Sequence, residues 1–285
     1  MAEVSVVVTN YNYGKFLVKA LESVLNQDYP QEKLEIILID DASTDEATRR
    51  LVEEYEHPRV KKILLRENVG VVKARNIAIE QARGEYILPL DADDWFLPDY
   101  VRLAARVLDE NPDAGLAYGM GELTGDASGP WLGPFDIEHV LLEGGTPACS
   151  MFRKSAWQEV GGYHDYMKNG WEDWDFWLSL IEQGYSIREV EGTMGFYYRI
   201  KAQSRTKDAA EKDLKELWRN LFMHHQKLYF AYPRIMQRVL IESSHGRVIA
   251  HSPEYRLGSV ATKCMRAVLG PLLPLILRWK NRFRK

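Results

Sequence analysis

Cysteine is scarce: the 285 residues hold two, Cys149 and Cys264, far apart in the chain. They form no metal-type pair, which excludes a disulfide scaffold and a cysteine-ligated zinc site. Both suit a reducing compartment, or two small buried hydrophobes. Long apolar runs are missing too, and nothing approaches the roughly 18–20 apolar residues that span a bilayer. The run Val4 to Val8 is too short for a secretory leader and passes straight into Thr9-Asn10-Tyr11-Asn12, so a cytoplasmic chain is expected. Positive charge is outnumbered by negative outside one segment. Residues 262–285 hold seven Lys/Arg and no acid, so a chain of formal charge −4 carries −11 in the residues before them. A body that acidic excludes a general nucleic-acid binder. There is no internal repeat and no low-complexity tract.

What is present is ordinary for a globular protein: 46 % apolar and 27 % charged residues, enough for one large α/β domain or a domain with an appendage. The first third alternates strand and helix patterns. Residues 4–9 are a β-branched run that reads as a buried parallel strand. Phe16, Leu17, Ala20, Leu21, Val24 and Leu25 follow at helical spacing, and Pro30 closes the unit. Residues 34–40 form a second strand. Ser43-Thr44-Asp45-Glu46 has the capping-box pattern and opens a second helix. Residues 60–65, 72–82 and 85–90 continue as strand, helix and strand, and Pro98 is placed to be the first residue of a helix running to Glu110. Residues 120–146, rich in Gly and Pro, read as loops or a rim over a site. A strand is expected at 148–153, and a helix from Glu172 that ends at Gly184 as its left-handed cap. Beyond about residue 206 the pattern is helical.

Such alternation points to a mostly parallel sheet covered on both faces, with ligands at the carboxyl ends of its strands. The acids stand there: Asp40 and Asp41 after the second strand, Asp91, Asp93 and Asp94 after the fourth. Asp-x-Asp at a strand end puts two carboxylates on one side of a turn, which suits Mg²⁺ or Mn²⁺ beside phosphate oxygens; solvated turns and helix caps use the same pairs. An ionised Asp41 only accepts hydrogen bonds, so it can read the imide N–H of uracil or thymine or the N1–H of guanine, or it completes a turn. Trp171-Glu172-Asp173-Trp174-Asp175-Phe176-Trp177 interleaves three indoles with three acids. A carboxylate held there is partly desolvated at a helix start, a setting for a general base. Arg75 falls near the start of the third helix, where it pairs with a phosphate or stands as an exposed helix residue.

Five ordered blocks together resemble glycosyltransferase family 2, the inverting enzymes of the GT-A fold. They are Val4 through Asn12, Ile39 through Asp45, Asn68 through Asn76, Leu90 through Asp94, and Glu172-Asp173-Trp174-Asp175. The resemblance covers about residues 3–205. It implies an α/β GT-A fold: a Rossmann-like, mostly parallel central sheet with flanking helices, followed by a C-terminal helical extension. It implies that Thr9 and Asp41, with Asn10 and Tyr11 beside them, bind the nucleotide base, and that Arg75 helps hold the nucleotide. Asp91 would contact the ribose or a metal water, and Asp93 would be the main ligand of Mn²⁺ or Mg²⁺. Asp173 would be the base that deprotonates the acceptor hydroxyl, with Trp171, Glu172, Arg199 and Lys201 contacting donor or acceptor. Lys201 stands where many relatives have His in Tyr-Arg-x-His-x-x-Ser, so it is expected at the diphosphate.

The implied activity is transfer of a single sugar from a nucleotide-diphosphate donor, uracil favoured, to a hydroxyl acceptor in cell-surface polysaccharide, lipopolysaccharide or glycolipid assembly. A processive synthase would carry Gln-x-x-Arg-Trp, but Leu275 stands where the Gln would precede Arg278-Trp279. A nucleotidyltransferase would have a Gly-rich loop with Arg and Lys after the first strand, where this chain has Thr9-Asn10-Tyr11-Asn12-Tyr13-Gly14-Lys15. A non-catalytic nucleotide-sugar-binding protein would be signalled by loss of Asp93 or Asp173, and both are present. The expected division is a transferase domain over 1–205 and a helical extension over 206–285. The apolar run 267–277, flanked by Lys/Arg, is either a peripheral anchor on anionic lipid or a packed terminal helix.

Overall fold

The computed structural model describes residues 2–131, 137–144, 147–201, 214–232 and 234–235. Four parallel strands set the frame: β1 (Val4–Asn10), β2 (Leu34–Asp40), β3 (Val60–Leu64) and β4 (Tyr86–Asp91). They lie in the order β3-β2-β1-β4, with Val8 level with Leu38 and Leu90. Every residue of β1 is buried because helices cover both faces. Val4, Val6 and Val8 pack on Leu17, Leu21 and Val24 of α1 (Gly14–Leu25) and on Val101 and Leu108 of α4 (Tyr100–Glu110). Val7, one step out of phase, points the other way, onto Val72 and Ile79 of α3 (Val71–Glu80). Period-2 alternation across a two-sided core thus explains the unbroken apolar run.

The second half of the sheet departs from the sequence reading. After β5 (Trp95–Phe96) and α4 comes β6 (Ala114–Gly125), a 12-residue strand where loops were expected from Met120. β7 (Gly129–Trp131) pairs with it. β8 (Met151–Arg153) joins β4 antiparallel, and β9 (Ser186–Ile200) runs parallel to β6 over 15 residues, so the sheet is mixed beyond β4. The glycines that suggested loops make room for rings instead. A Cβ on Gly119 would lie 2.6 Å from the Tyr100 ring, one on Gly121 2.5 Å from Phe196, and one on Gly195 2.5 Å from Tyr100. Glycine inside a strand here marks close approach, not a turn.

Two helix starts also shift. α2 (Glu46–Glu54) is capped by Asp45, whose Oδ2 accepts the Thr48 N–H at 2.8 Å, because Ser43 is drawn to Asp40 instead. α4 begins after Asp99, with Pro98 outside it accepting the Asp28 N–H through its carbonyl. Gly184 adopts φ +89°, the left-handed cap expected after α7 (Glu172–Glu182). Around α7 stand α5 (Ile137–Glu143), α6 (Lys154–Val160), α8 (Leu214–His224) and α9 (Gln226–Ala231). Phe176, Trp177 and Leu180 face the sheet, while Trp174 and Leu178 pack with Leu217, Trp218, Leu221 and Tyr229. Burial on two faces explains the density of aromatics in α7. Helices α8 and α9 are therefore packed against α7, and the expected boundary at 205/206 falls outside the described residues.

Candidate functional site

The carboxyl ends of β1, β2 and β4 meet on one edge, and loops hold them in fixed geometry. Among the described residues, Asn12, Ala42 and Trp171 are the non-glycine residues with left-handed φ (63°, 56° and 59°), and all three lie at this edge or opposite it. Such backbone is costly and needs the surroundings to hold it. Asn12 shows how: its Oδ1 accepts the Thr44 and Asp45 N–H groups at 2.8 and 2.9 Å, and its Nδ2 donates to Thr44 Oγ1 at 3.0 Å. Asn12 thereby staples the β1–α1 turn to the β2–α2 turn. It lay in the first motif block but carried no expected role.

The expected base-binding residues divide. The Thr9 hydroxyl is buried and has no hydrogen-bond partner among the described residues. Tyr11 is exposed at the rim. Asn10 is fully buried, and its Nδ2 donates to Asp40 at 2.6 Å, so it braces the strand end. Asp41 is 2 % exposed and its two oxygens accept the Val69 and Gly70 N–H groups at 2.8 and 2.9 Å. Burial raises its pKa, against which these two bonds work. Asp41 thus holds the loop before α3, and each oxygen keeps a second lone pair.

Arg75 and Glu172, expected at the nucleotide and at the donor or acceptor, are buried and bonded to each other. Arg75 is 1 % exposed; Nη1 donates to Glu172 Oε1 at 2.9 Å and Nη2 to Asp91 Oδ1 at 2.7 Å. Burial opposes its charge, but Asp91 and Glu172 keep it protonated. The guanidinium projecting from α3 thus joins the first residue of α7 to the end of β4. Arg75 is a strut that fixes two strategic ends relative to each other.

Asp93 is 7 % exposed and ion-paired to Lys201, whose Nζ also lies 3.8 Å from the centroid of the Tyr13 ring. Burial and then Asp91 raise the Asp93 pKa, with Lys201 opposing. Arg199, two residues back on β9, lies over Phe16 at 4.1 Å, and its N–H donates to Asp94 at 2.8 Å. The end of β9 therefore delivers two cations to the Asp91–Asp94 turn. Burial, then Asp93 and Asp91, push the Asp94 carboxyl well above the ordinary range.

Asp173, in the first turn of α7, is half-buried and accepts the Trp174 N–H at 2.8 Å. Burial first, then the charges of Asp94, Asp91, Asp173 and Asp93, raise the pKa of the Tyr198 hydroxyl. Trp171 packs on Trp174 and Trp218, with centroids 5.0 and 5.4 Å apart, which leaves it half-buried.

A cluster with no assigned role lies beneath Asp173. Asp175, fully buried, accepts from Tyr166 OH at 2.9 Å and faces His164 Nδ1 at 2.7 Å and His225 Nε2 at 2.9 Å. Adjacent His224 and His225 share no helix face, so the sequence offered no reason to choose between them. Among the described residues no three His, Cys, Asp or Glu gather as a metal cage, and no helix is long and apolar enough to cross a membrane. The tail 262–285, Cys264, His245 and His251 lie outside the described residues.

Residues 5–161 match the model of glycosyl transferase family 2, and residues 144–203 a model described as the N-terminal domain of galactosyltransferase. The chain is 36 % identical over 113 residues to poly(ribitol-phosphate) beta-N-acetylglucosaminyltransferase TarS of Staphylococcus aureus, covering 39 % of this chain and 20 % of that protein. It is 32 % identical over 187 residues to chondroitin synthase of Escherichia coli, covering 64 % and 27 %. To the putative glycosyltransferase EpsE of Bacillus subtilis it is 32 % identical over 212 residues, covering 71 % and 74 %. The chain thus spans about a fifth of TarS and about a quarter of chondroitin synthase. Among solved structures, TarS 1–349 with UDP-GlcNAc aligns at TM-score 0.69 and 19 % identity over 93 % of this chain and 81 % of that one. The mannosyltransferase PcManGT of Pyrobaculum calidifontis, in complex with GDP-Man and Mn²⁺, aligns at 0.61 and 19 % over 94 % and 86 %. At such identity these two speak for the fold, which is GT-A. By the extent of the family match, the chain belongs to glycosyl transferase family 2.

Proposed function

We propose that this chain is an inverting, non-processive glycosyltransferase moving one sugar from a UDP-sugar to a hydroxyl acceptor in cell-surface polysaccharide, lipopolysaccharide or glycolipid assembly. The observation that carries the reading is the bridge by which Arg75 holds Asp91, at the end of β4 with Asp93 two residues on, against Glu172, the neighbour of Asp173 at the start of α7. Asp91 and Asp93 sit where a nucleotide diphosphate binds in such sheets, and Asp173 is placed to serve an acceptor. Support for uracil comes from a relative with the same fold that binds UDP-GlcNAc.

In this reading the base lies over the ends of β1 and β2, with the unpartnered Thr9 hydroxyl and the remaining lone pairs of Asp41 reading its edge and Tyr11 at the rim. Asp173 takes the proton of the acceptor hydroxyl as its oxygen attacks the anomeric carbon. The bond from that carbon to the diphosphate oxygen breaks on the opposite face, and its electron pair leaves with the UDP. A single displacement inverts the anomeric configuration. Lys201 and Arg199 meet the charge that develops on the diphosphate.

Asp91 and Asp93 also fit a hard divalent cation, which asks for one or two carboxylates and takes its other ligands from phosphate and water. Asp93 would be the main ligand, with Asp91 beside it. When bound, Mg²⁺ or Mn²⁺ would neutralise the leaving diphosphate. A cytoplasmic location, with the basic tail 262–285 touching anionic lipid, completes the proposal. Asp173→Asn tests it: sugar transfer should stop while UDP affinity stays, and retained turnover would remove Asp173 as the base.

A further inference from the structure

The buried Asp175 sits two residues beyond the proposed base and is engaged by three side chains from two segments. His164 and Tyr166 come from the segment before α7, and His225 from the junction of α8 and α9. His164 Nε2 faces the Val160 carbonyl at 3.2 Å, an atom that only accepts, while its Nδ1 faces Asp175. Both ring nitrogens therefore carry protons in this network. His225 is placed likewise: Nε2 on Asp175 at 2.9 Å and Nδ1 on Glu182 Oε2 at 3.0 Å, both carboxylate oxygens. The chain Glu182–His225–Asp175–His164 thus alternates carboxyl and imidazole groups through the base of α7.

Further contacts run in parallel from the same C-terminal helices. Trp218 of α8 packs edge-on against Trp171 and Trp174, the residues that flank Glu172-Asp173, with centroids 5.4 and 5.0 Å away. Asn220 donates to the Tyr166 carbonyl at 2.9 Å, and His224 stacks on the Tyr166 ring at 3.7 Å. Trp171 holds its left-handed φ of 59° at the point where these contacts close. The turn bearing Asp173 is therefore clamped from above by Trp218 and from below by His225.

We infer that the α8–α9 pair is part of the transfer site, and that His225 is a positioning residue that sets the Asp173 turn through Asp175. The inference rests on Asp173 being the base. It separates the two halves of the site: the donor half, built on β1, β2 and β4, does not touch His225, whereas the acceptor half depends on it.

Protonation enters through His164. The Asp175 hydrogen bond raises its pKa above the ordinary value, against burial. A raised value in the folded state means the stabilisation from charged His164 is fully present below about pH 6.5 and is lost as pH rises through the folded value. The groups facing this ring are Asp175 and the Tyr166 hydroxyl; His225, Glu182 and His224 complete the shell. Turnover should accordingly show an alkaline limb that donor affinity does not share.

The test uses the full chain with three measurements: UDP affinity by calorimetry, UDP release from UDP-N-acetylglucosamine and other UDP- and GDP-sugars, and the near-ultraviolet circular dichroism of the tryptophans. His225→Gln should slow UDP or GDP release at least tenfold, leave UDP affinity within twofold, and change the tryptophan band. His164→Asn, which donates without titrating, should flatten the alkaline limb. If His225→Gln does not fold, Glu182→Gln, which alters only the outer carboxylate, should lower turnover in the same sense. Turnover equal to wild type in a folded His225→Gln protein overturns the inference, as does a fall in UDP affinity that matches the fall in turnover. A wild-type chain that neither binds UDP nor turns over any sugar nucleotide would instead strike the transferase reading. The tryptophan band then decides the pin alone, and an unchanged band in His225→Gln refutes it.

Discussion

Arg75→Met isolates the strut between the two halves of the site. Methionine fills much of the same space without charge, so the perturbation is electrostatic before it is steric. The magnitude follows from the exposure of the two partners. The Asp91 side chain is 37 % exposed and regains water when the guanidinium goes, so its share is small. The Glu172 side chain is 2 % exposed and cannot. Stranding one buried carboxylate without its cation costs about 3–5 kcal/mol. With an m-value of about 3 kcal/mol/M in urea, the unfolding midpoint should fall by about 1–1.7 M. The assay is urea unfolding followed by far- and near-ultraviolet circular dichroism, whose coincidence checks two-state behaviour. Arg75→Met/Glu172→Gln should recover most of the loss, because an amide is far cheaper to bury than an unpaired carboxylate. A midpoint for Arg75→Met equal to that of the wild type, or a double variant no better than the single, would refute the strut.

Gly121→Ala should destabilise by about 1–3 kcal/mol, since the new methyl would meet the Phe196 ring and overpacked cores respond on that scale; differential scanning calorimetry should show a drop of about 2–4 °C for each kcal/mol. An unchanged melting temperature would show that β6 and β9 are not packed as described. Lys201→Met should weaken UDP binding by about 1.5–3 kcal/mol, the scale of a hydrogen bond to a charged group. UMP binding should change little, so an equal loss for both nucleotides would remove Lys201 from the distal phosphate.

The first half of the fold was legible because its strands are unbroken apolar runs and its acids stand at strand ends. Residues 34–40 come out as β2 with the bounds expected, and the helix from Glu172 opens at that residue. β6 and β9 were hidden because Gly119, Gly121 and Gly195 look like loop residues until Tyr100 and Phe196 occupy the space they leave. Ser43 misled about a cap because its hydroxyl donates to Asp40, a partner three residues back that no local pattern favours over the helix. The site was legible as a set of residue types but not as a set of roles. Arg75 and Glu172 stand in separate motif blocks, and their contact across 97 positions is one that only the folded chain creates. His225 carries no pattern at all; its partners come from 43 and 50 residues away.

The central claim is a nucleotide-diphosphate donor site at the carboxyl ends of β1, β2 and β4. Calorimetric titration of UDP, dTDP, GDP and CDP into the protein, with Mn²⁺ and then with EDTA, tests it most directly. Binding of UDP in preference to CDP, strengthened by Mn²⁺ and weakened by Asp93→Ala, is the predicted result. Absence of binding by all four nucleotides in both conditions would contradict it.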